Sequence, residues 1–477
     1  MSKLSRGRPK LSWTGQRLYE SKDQSHSRAI NNIRQIYTSC MDQQRLAQLG
    51  GTELVKAIEQ MGHWPIVHGE KWQANEFDLT NLLIYTSVTR SMEIFLDIYV
   101  SQDQRNVSRR MIHVDQGNLG LGGSARAYYL NMTRYTKQMR AYRQYMINKI
   151  LLVAEDAGEP RTREEIAKGV EEIIDLEKQI AEIMISEEHR RNYTRLYNSH
   201  KLSELNELFP LVDWDRYFRA VMPEDLHDYL NSDPDIIVNE MEFLKKLTDL
   251  LRAADPRIIT NYIVWRYTSA WSFQLDSRYD DVQQDFLRML IGKERKSPRW
   301  KDCSSAASSR MAYAASALYV REYFNEADKN AAMEMIRDLH EAFREMVTHN
   351  DWMDEQTRKI AIEKSRAMQS LIGYPDFVLS DEKLDDFYKL LKFEPGDTYA
   401  AMVQKTTKWK QDRAFRRLIE PVDKSDFGIS SSTVNAFYSS LKNSISKMAL
   451  IFLEDIIIIT IIIIIINNNN NHKNNNK

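Results

Sequence analysis

Residues 162–184 read TREEIAKGVEEIIDLEKQIAEIM, and this stretch indicates how most of the chain folds. Thr162 and Glu165 have the spacing of a capping box, in which the hydroxyl and the carboxylate each satisfy a free amide at a helix start. Apolar residues then recur at helical spacing, at Ile166, Val170, Ile173, Ile174, Ile180, Ile183 and Met184. The pattern predicts a helix with one buried face, and such a stripe is core rather than a cofactor site.

Similar signals predict helices on both sides of this stretch. We expect helices over residues 77–100 and 234–252 and a long helical stretch over residues 258–290. An amphipathic helix over residues 327–346 would bury Ala332, Met335, Ile336, Leu339, Phe343 and Met346. Asp351-Trp352-Met353-Asp354 begins the next helix, where an aspartate side chain accepts the first free amides. The fold class is therefore mainly α.

Near its end the chain changes character. Residues 430–438 place Val434, Phe437 and Tyr438 among serines and a threonine, which favours a short extended edge strand. Residues 456–466 are isoleucine interrupted only by Thr460, and residues 467–477 are nearly all asparagine and lysine. Both blocks look like translated AT-rich triplet repeats, which indicates a run past an exon boundary or a misassembled gene model. We treat residues 446–477 as an aberrant low-complexity tail.

Composition limits the class of protein. With 477 residues, 43% of them apolar, the chain can bury sizeable cores and is globular. Lys plus Arg number 66 against 67 Asp plus Glu, so no overall field favours nucleic acid. The basic run over residues 413–417 is predicted to be a solvated helix face. Residues 1–26 are polar and basic and are expected to be disordered.

No apolar stretch reaches the roughly 18 residues that a membrane span needs. The basic residues near the N-terminus are not followed by an apolar segment, so no signal peptide is recognised. As written, the sequence contains no export signal and no membrane anchor.

A glycine-rich turn occupies residues 117–123, GNLGLGG. A phosphate cradle needs a preceding strand, matched glycine spacing and a helix N-terminus. The segment lacks the full G-x-G-x-x-G fingerprint and the acidic ribose ligand, so a structural turn is favoured over nucleotide binding.

The residues by themselves reveal no catalytic constellation. Zinc hydrolysis needs two histidines one helical turn apart, a glutamate base and a third ligand. The nearest approach is His340-Glu341, but the second histidine position holds Arg344, whose cation cannot bind Zn²⁺. His340 is therefore predicted to be a helix-surface residue. Neither cysteine lies in a motif that marks a nucleophile.

Several dispersed motifs, in order over residues 27 to 445, resemble the neprilysin and endothelin-converting-enzyme family of zinc metalloendopeptidases. They are Asp115-Gln116 with Leu119-Gly120-Leu121 and Tyr128-Tyr129-Leu130, Trp265-Arg266-Tyr267, Pro298 to Cys303, Ala317 to Val320, Asp351 to Lys359, Ile372 to Asp376, and Val434 to Tyr438. The resemblance implies the large helical lobe of a two-lobed ectodomain over residues 27–430, with the start of the catalytic lobe at residues 431–445.

The resemblance also implies a site and its surroundings. Asn435 would offer its side-chain amide and Ala436 its carbonyl to the backbone of a peptide substrate, as in β-strand addition. The alternative is that Asn435 only caps a turn. Cys40 and Cys303 fall at positions that are paired in the family, which implies a disulfide and an oxidising compartment. Without the family, two unrelated buried thiols are equally acceptable.

An extracellular or plasma-membrane setting agrees with three glycosylation acceptors, at Asn106, Asn131 and Asn192, although such tripeptides also arise by chance. The family cofactor is zinc, yet the His-Glu-x-x-His helix and the later glutamate ligand that should follow Tyr438 are not in this sequence. Residues 122–127 also form a longer turn than is usual in the family.

We therefore interpret the chain as a neprilysin-like metallopeptidase fragment, with peptide substrates and a possible homodimer, that is inactive as this polypeptide. The alternative is a non-catalytic helical module that binds peptides or a partner. A third interpretation is a defective gene model of an ordinary ectopeptidase.

Overall fold

The computed structural model describes residues 11–21, 25–92, 94–271, 273–323, 326–427, 431 and 435–447. The chain forms two compact units. Unit 1 comprises Met1–Thr38, Arg299–Leu390 and Val422–Lys477, and unit 2 comprises Ser39–Pro298 and Leu391–Pro421. The single helical domain expected over residues 27–430 is thus divided, and the strand near the C-terminus belongs to the same unit as the N-terminal helices.

Helices dominate the described residues, so the predicted mainly α class is confirmed. In chain order they are α1 Leu11–Glu20, α2 Arg28–Met41, α3 Gln43–Leu49, α4 Thr52–Gln60, α5 Pro65–His68, α6 Leu79–Arg90, α7 Arg126–Leu130, α8 Thr136–Asp156, α9 Arg163–Ile183, α10 Tyr193–Leu196, α11 Leu205–Leu208, α12 Trp214–Val221, α13 His227–Asn231, α14 Met241–Ala253, α15 Pro256–Ser269, α16 Ser277–Ile291, α17 Arg299–Arg310, α18 Ala312–Tyr323, α19 Glu326–Thr348, α20 Glu355–Arg366, α21 Asp381–Phe387 and α22 Tyr399–Arg416. The strands are β1 Leu96–Gln102, β2 Arg110–Gln116, β3 Ser199–Lys201, β4 Asp235–Val238, β5 Gln369–Ile372, β6 Ala436–Ser439 and β7 Ser444–Lys447.

The core of unit 2 is built around α9. The capping box predicted at its start is present, because Thr162 accepts the amide of Glu165 while the Glu165 carboxylate accepts the amide of Thr162. Helix α9 packs against α8 and α15, and α8 also packs against α16. The aliphatic stripe of α9 is buried, with Ile166, Val170 and Ile173 fully inaccessible. The same core contains the fully buried Trp265.

Unit 2 also contains a four-stranded sheet in the order β1-β2-β4-β3. Strands β1 and β2 are antiparallel, β2 and β4 are parallel, and β3 and β4 are antiparallel. The sheet corrects two helix predictions. The helix expected over residues 77–100 ends at Arg90 and is followed by β1, and the helix expected over residues 234–252 is preceded by β4. Both strands lie beside β2, a wholly buried strand. Pairing with β2, which is near β1 in the sequence but far from β4, therefore overrides the local helical signal.

The N-terminal part of unit 1 corrects the expectation of disorder up to residue 26. Helix α1 packs against α17 and α18. The Tyr19 ring is buried and stacks on Tyr37 at 5.2 Å between centroids, and the Tyr19 hydroxyl lies 2.7 Å from the Ser308 hydroxyl. The Asp385 carboxylate accepts the backbone amides of Arg28 and Ala29, each at 2.8 Å, and so caps α2.

Helices α19 and α20 of unit 1 pack against each other. The predicted aspartate cap of α20 is present, and of the two candidate residues it is Asp354, which accepts the amide of Thr357 at 2.7 Å. The apolar stripe predicted for α19 is only partly buried. Ile336 is 6% exposed, whereas Met335 is 38% and Met346 is 52% exposed. The described part of the chain does not cover this face.

The second sheet, in unit 1, has the order β5-β7-β6. Its central strand β7 includes Ser446 and Lys447, which the sequence analysis assigned to the aberrant tail, so the boundary at residue 446 is corrected. The isoleucine and asparagine blocks, like Thr433 and Val434, lie outside the described residues.

The basic run over residues 413–417 ends α22 and differs from the expected solvated face. Phe415 of this run is buried and the other four residues are half-buried. The Arg416 guanidinium donates to the Asp225 carboxylate at 2.9 Å. Across the described residues, no helix has the length and apolar character that a membrane span requires.

Candidate functional site

The predicted peptide-binding residues lie at one edge of the unit 1 sheet. Strand β6 pairs antiparallel with β7, placing Ala436 opposite Lys447 and Ser439 opposite Ser444. Strand β7 pairs in parallel with β5 on its other side. No described strand pairs with the outer side of β6. A strand with one unpaired side presents backbone donors and acceptors to an added strand.

Asn435 immediately precedes β6 and is exposed. Its Oδ1 accepts the amide of Ala436 at 2.8 Å. Its Nδ2 has no hydrogen-bond partner among the described residues. The local bond is what a turn cap would make, whereas the Nδ2 group keeps both donors for a ligand. Ala436 is half-buried and is the first residue of the edge strand.

The hairpin between β6 and β7 is held in place by its turn. The Tyr438 hydroxyl donates to Asn443 Oδ1 at 3.1 Å, and Asn443 Nδ2 donates to the Lys364 carbonyl at 3.0 Å. The Lys442 ammonium donates to the Asp426 carbonyl at 2.7 Å. These bonds fix the strand before any ligand arrives, which lowers the ordering cost of strand addition.

The described residues do not fit a catalytic zinc ion. Within them, no three His, Cys, Asp or Glu side chains lie close enough together to hold a metal. His340 is half-buried on α19, and its buried Nε2 has no hydrogen-bond partner among the described residues. Burial and the Arg344 cation both lower the pKa of His340, so its imidazole is neutral near pH 7. We derive no catalytic step through zinc from these residues.

Comparisons with known proteins agree with the motifs. A family model for Peptidase family M13 matches residues 14–375. The chain belongs to this family. Neprilysin-1 of Caenorhabditis elegans is 44% identical to the M13 chain over 446 residues, which cover 93% of the chain and 59% of that protein. Endothelin-converting enzyme 1 of Cavia porcellus is 30% identical over 430 residues, which cover 90% of the chain and 55% of the enzyme.

Solved structures show the same fold. The Mycobacterium tuberculosis zinc metalloprotease Zmp1, in complex with an inhibitor, has a TM-score of 0.75 at 22% identity, over 91% of the M13 chain and 62% of that chain. PepO from Lactobacillus rhamnosis has a TM-score of 0.75 at 17% identity, over 93% of the M13 chain and 66% of the PepO chain. The M13 chain thus spans between half and two thirds of these relatives. The predicted recognition as a neprilysin-like zinc metallopeptidase is confirmed at the level of the family.

The other predicted sites occupy distinct positions in the M13 chain. Asn106, Asn131 and Asn192 are all exposed. Each side-chain Oδ1 accepts a nearby backbone amide, and Asn192 in this way caps α10. Cys40 and Cys303 are both buried, and none of the described cysteines is free. Their pairing and the glycosylation stay predictions.

A buried polar network, which was not predicted from the sequence, holds the glycine-rich turn. The Glu177 carboxylate, inaccessible to solvent, accepts the amide of Gly120 at 2.8 Å and the Tyr129 hydroxyl at 3.0 Å. Arg266 donates to the Asn118 carbonyl and, at 2.8 Å, to the Tyr262 hydroxyl. The periodicity of α9 could have indicated this network, because it places the Glu177 carboxylate on the buried apolar stripe, where a charged group needs partners.

The network also explains why Gly120 has no side chain. A Cβ atom at this position would lie 2.0 Å from the Tyr142 hydroxyl oxygen and 2.5 Å from Glu177 Oε1. Burial raises the pKa of Glu177, while the Arg266 cation and the donated hydrogen bonds oppose that rise. The turn is therefore a rigid structural element, as the sequence favoured.

Proposed function

We propose that this chain supplies the helical scaffold and a substrate-binding edge of a peptide-hydrolysing M13 enzyme. A peptide would add to the outer side of β6 as a further strand, with Asn435 Nδ2 donating to it and the Ala436 carbonyl accepting from it. The observation that carries the proposal is the outer side of β6, with which no described strand pairs, beside an exposed asparagine amide. Family membership supports a peptide as the ligand.

A binding measurement with matched asparagine variants tests this edge. We expect Asn435→Asp and Asn435→Ala to weaken binding of a fluorescent peptide by about tenfold, the effect of one lost hydrogen bond. The aspartate keeps an oxygen that can accept the Ala436 amide but replaces the NH2 donor by a negatively charged acceptor, whereas the alanine removes both groups. Equal binding by wild type and both variants would contradict the role of Asn435.

We further propose that residues 1–477 by themselves bind peptides without cleaving them. The sequence has no His-Glu-x-x-His pair, and hydrolysis needs the metal, the base and a charge-stabilising group. Peptide cleavage that requires added zinc and stops with a chelator would overturn this proposal.

The second candidate is a peptide-binding module with no catalytic counterpart, which the same free edge favours. Sequencing the transcript across the codons for residues 438–477 separates the two functions. A reading frame that continues into a zinc-binding helix supports the peptidase, and an in-frame end after the asparagine codons supports the module.

We also propose an oxidising, extracellular setting, with a Cys40 to Cys303 disulfide and glycans on Asn106, Asn131 and Asn192. Burial of both cysteines and exposure of all three asparagines support it. Peptide mass mapping, without and with reduction and after glycan removal, tests each site separately. Free thiols and unmodified asparagines in secreted material would contradict it.

A further inference from the structure

A cavity of about 660 Å³ lies in unit 2. Three segments line it, residues 116–124 of the glycine-rich turn, residues 126–135 and residues 184–190. Its size falls within the range of small-molecule sites, about 300–1,000 Å³. The proposed peptide-binding edge uses none of these residues.

The walls of the cavity are tied to one another and to the core. The Gln116 side chain bonds both backbone polar groups of Ile185, donating to its carbonyl and accepting its amide, each at 3.0 Å. Arg126 Nε donates to the Ala181 carbonyl at 2.9 Å. Glu177 holds the turn through Gly120. The cavity is therefore formed in advance of any ligand, which favours binding.

Two guanidinium groups on the cavity wall have no carboxylate partner among the described residues. The Arg126 side chain donates one hydrogen bond, from Nε to the Ala181 carbonyl. The Arg134 side chain makes no ion pair with a described residue. In contrast, Arg190 of the same cavity is neutralised, since it pairs with Asp115 and with Glu240, at 3.2 Å for the latter.

Two carboxylates also line the cavity. Glu187 lies 3.4 Å from Arg190 and is 78% exposed along its side chain. Glu188 is exposed as well. These two carboxylates equal Arg126 and Arg134 in number, but neither forms an ion pair with Arg126 or Arg134, so the two guanidinium groups keep their donors for a ligand.

Apolar surface adjoins these two cations. Leu130, which lies between Arg126 and Arg134 in the sequence, is 41% exposed. Met184 and Tyr135 line the same space. A large exposed leucine beside two unpaired guanidinium groups matches a ligand that carries a negative charge on an apolar body.

We propose that this cavity binds a carboxylate attached to an apolar group, with Arg126 and Arg134 receiving the carboxylate and Leu130 and Met184 contacting the apolar group. Guanidinium groups bind carboxylates through paired N–H donors, so a carboxylate suits them better than a neutral ligand. A fatty acid and the C-terminus of a peptide that ends in leucine share this chemistry.

Calorimetric titration of the whole chain, made in an oxidising bacterial host that adds no glycan to Asn131, tests the proposal. The probes are octanoate, N-acetyl-Ala-Ala-Leu and the amide of each. We expect saturable binding of at least one acid and about tenfold weaker binding of its amide, the loss of a charge-assisted contact. Tighter binding of octanoate identifies the fatty-acid source, and tighter binding of the peptide identifies the peptide terminus.

Matched variants locate the site. Arg134→Gln should weaken binding of the acid by about tenfold, and Leu130→Asp should weaken it as well. Arg140→Gln, at an exposed position of α8 outside the cavity, should leave it unchanged. Neither Arg134 nor Leu130 makes a side-chain hydrogen bond with a described residue, but the Arg134 guanidinium lies 5.5 Å from the Tyr135 ring centroid, so circular dichroism checks that each variant keeps its fold. Equal affinity for acid and amide, unchanged binding by Arg134→Gln, or no saturable binding of either acid would overturn the assignment.

Discussion

Two helix pairs in this chain have similar apolar patterns and different surroundings. The pair α8 and α9 in unit 2 is enclosed by α15 and α16, and its apolar stripes are buried together with charged groups. The pair α19 and α20 in unit 1 leaves Met335, Met346 and Ile360 exposed, the last at 56%. Amphipathic spacing thus predicts which face of a helix is apolar, but a second element must be present to bury it.

The pairs also differ in the polar groups that they tolerate. Glu177 and Lys149 are buried within the α8 and α9 pair because other elements supply them with partners. Polar groups on α19 lie mostly in solvent. The comparison can be tested by removing these buried groups and by changing the exposed ones.

The largest effect is expected at Glu177. Glu177→Ala leaves the buried Gly120 amide and the Tyr129 hydroxyl without an acceptor. We expect the free energy of unfolding of unit 2 to fall by about 3–5 kcal/mol, since each buried donor left unsatisfied costs about 1–3 kcal/mol. Denaturant unfolding followed by hydrogen exchange in α9 peptides measures it.

Glu182→Ala on the same helix is the control. Glu182 lies 3.9 Å from Lys178 and is 54% exposed along its side chain, so its loss should change stability by less than about 0.5 kcal/mol. Similar losses in both variants would show that the Glu177 network contributes nothing beyond helix propensity.

A smaller difference in the free energy of unfolding is expected between apolar positions on the stripes of α9 and α19. Ile173→Ala in α9 removes a fully buried side chain and should lower the free energy of unfolding by about 2–4 kcal/mol. Met335→Ala in α19 should lower it by less than about 1 kcal/mol, because part of that side chain already contacts water. Calorimetry of the two variants compares them, and equal losses would mean that the α19 face is covered in solution.

The third test concerns the buried Lys149. Its ammonium donates to the Tyr145 hydroxyl at 3.2 Å and to the Trp271 carbonyl. Burial lowers the pKa of Lys149 to about 7, against a smaller opposing effect from Asp280. Above pH 7 the unfolded chain therefore binds a proton that the folded chain lacks, and stability due to this group rises with pH.

Lys149→Met removes this dependence. Between pH 7 and 9.5, the stability of wild type should rise relative to Lys149→Met by up to about 3 kcal/mol. Stability is compared below pH 10. Above that pH, buried tyrosines whose pKa is raised, such as Tyr145, lower the stability as pH rises. Parallel stability curves for the two proteins would mean that Lys149 remains charged when folded.

The smallest effect is expected on the exposed face of α19. Replacing Met335 and Met346 together with glutamine should change the free energy of unfolding by less than about 0.5 kcal/mol. It should also reduce binding of a hydrophobic dye, since exposed apolar surface is lost. Ile336→Gln, at a buried position of the same helix, should be clearly destabilising, and a tolerated glutamine there would contradict the observed packing.

Much of the candidate site could be anticipated from the sequence. The extended segment at Ala436 and its position at a sheet edge followed from local composition and the family motif. The bond from the Ala436 amide to Asn435 Oδ1 is the one that the turn-cap alternative predicts, but the sequence could not decide whether it forms, because it depends on a side-chain rotation. The central position of β7 was also missed, since its partner β5 lies about seventy residues earlier in the chain.

The amino-acid sequence by itself determined the helical class, the caps at Thr162 and Asp354 and the family, because capping and periodicity act within one or two helical turns. Tertiary structure alone decided that residues 235–238 form a strand, that Glu177 is buried with partners and that the stripe of α19 is left open. These outcomes depend on contacts between segments distant in the chain, where pairing and burial outweigh local preference.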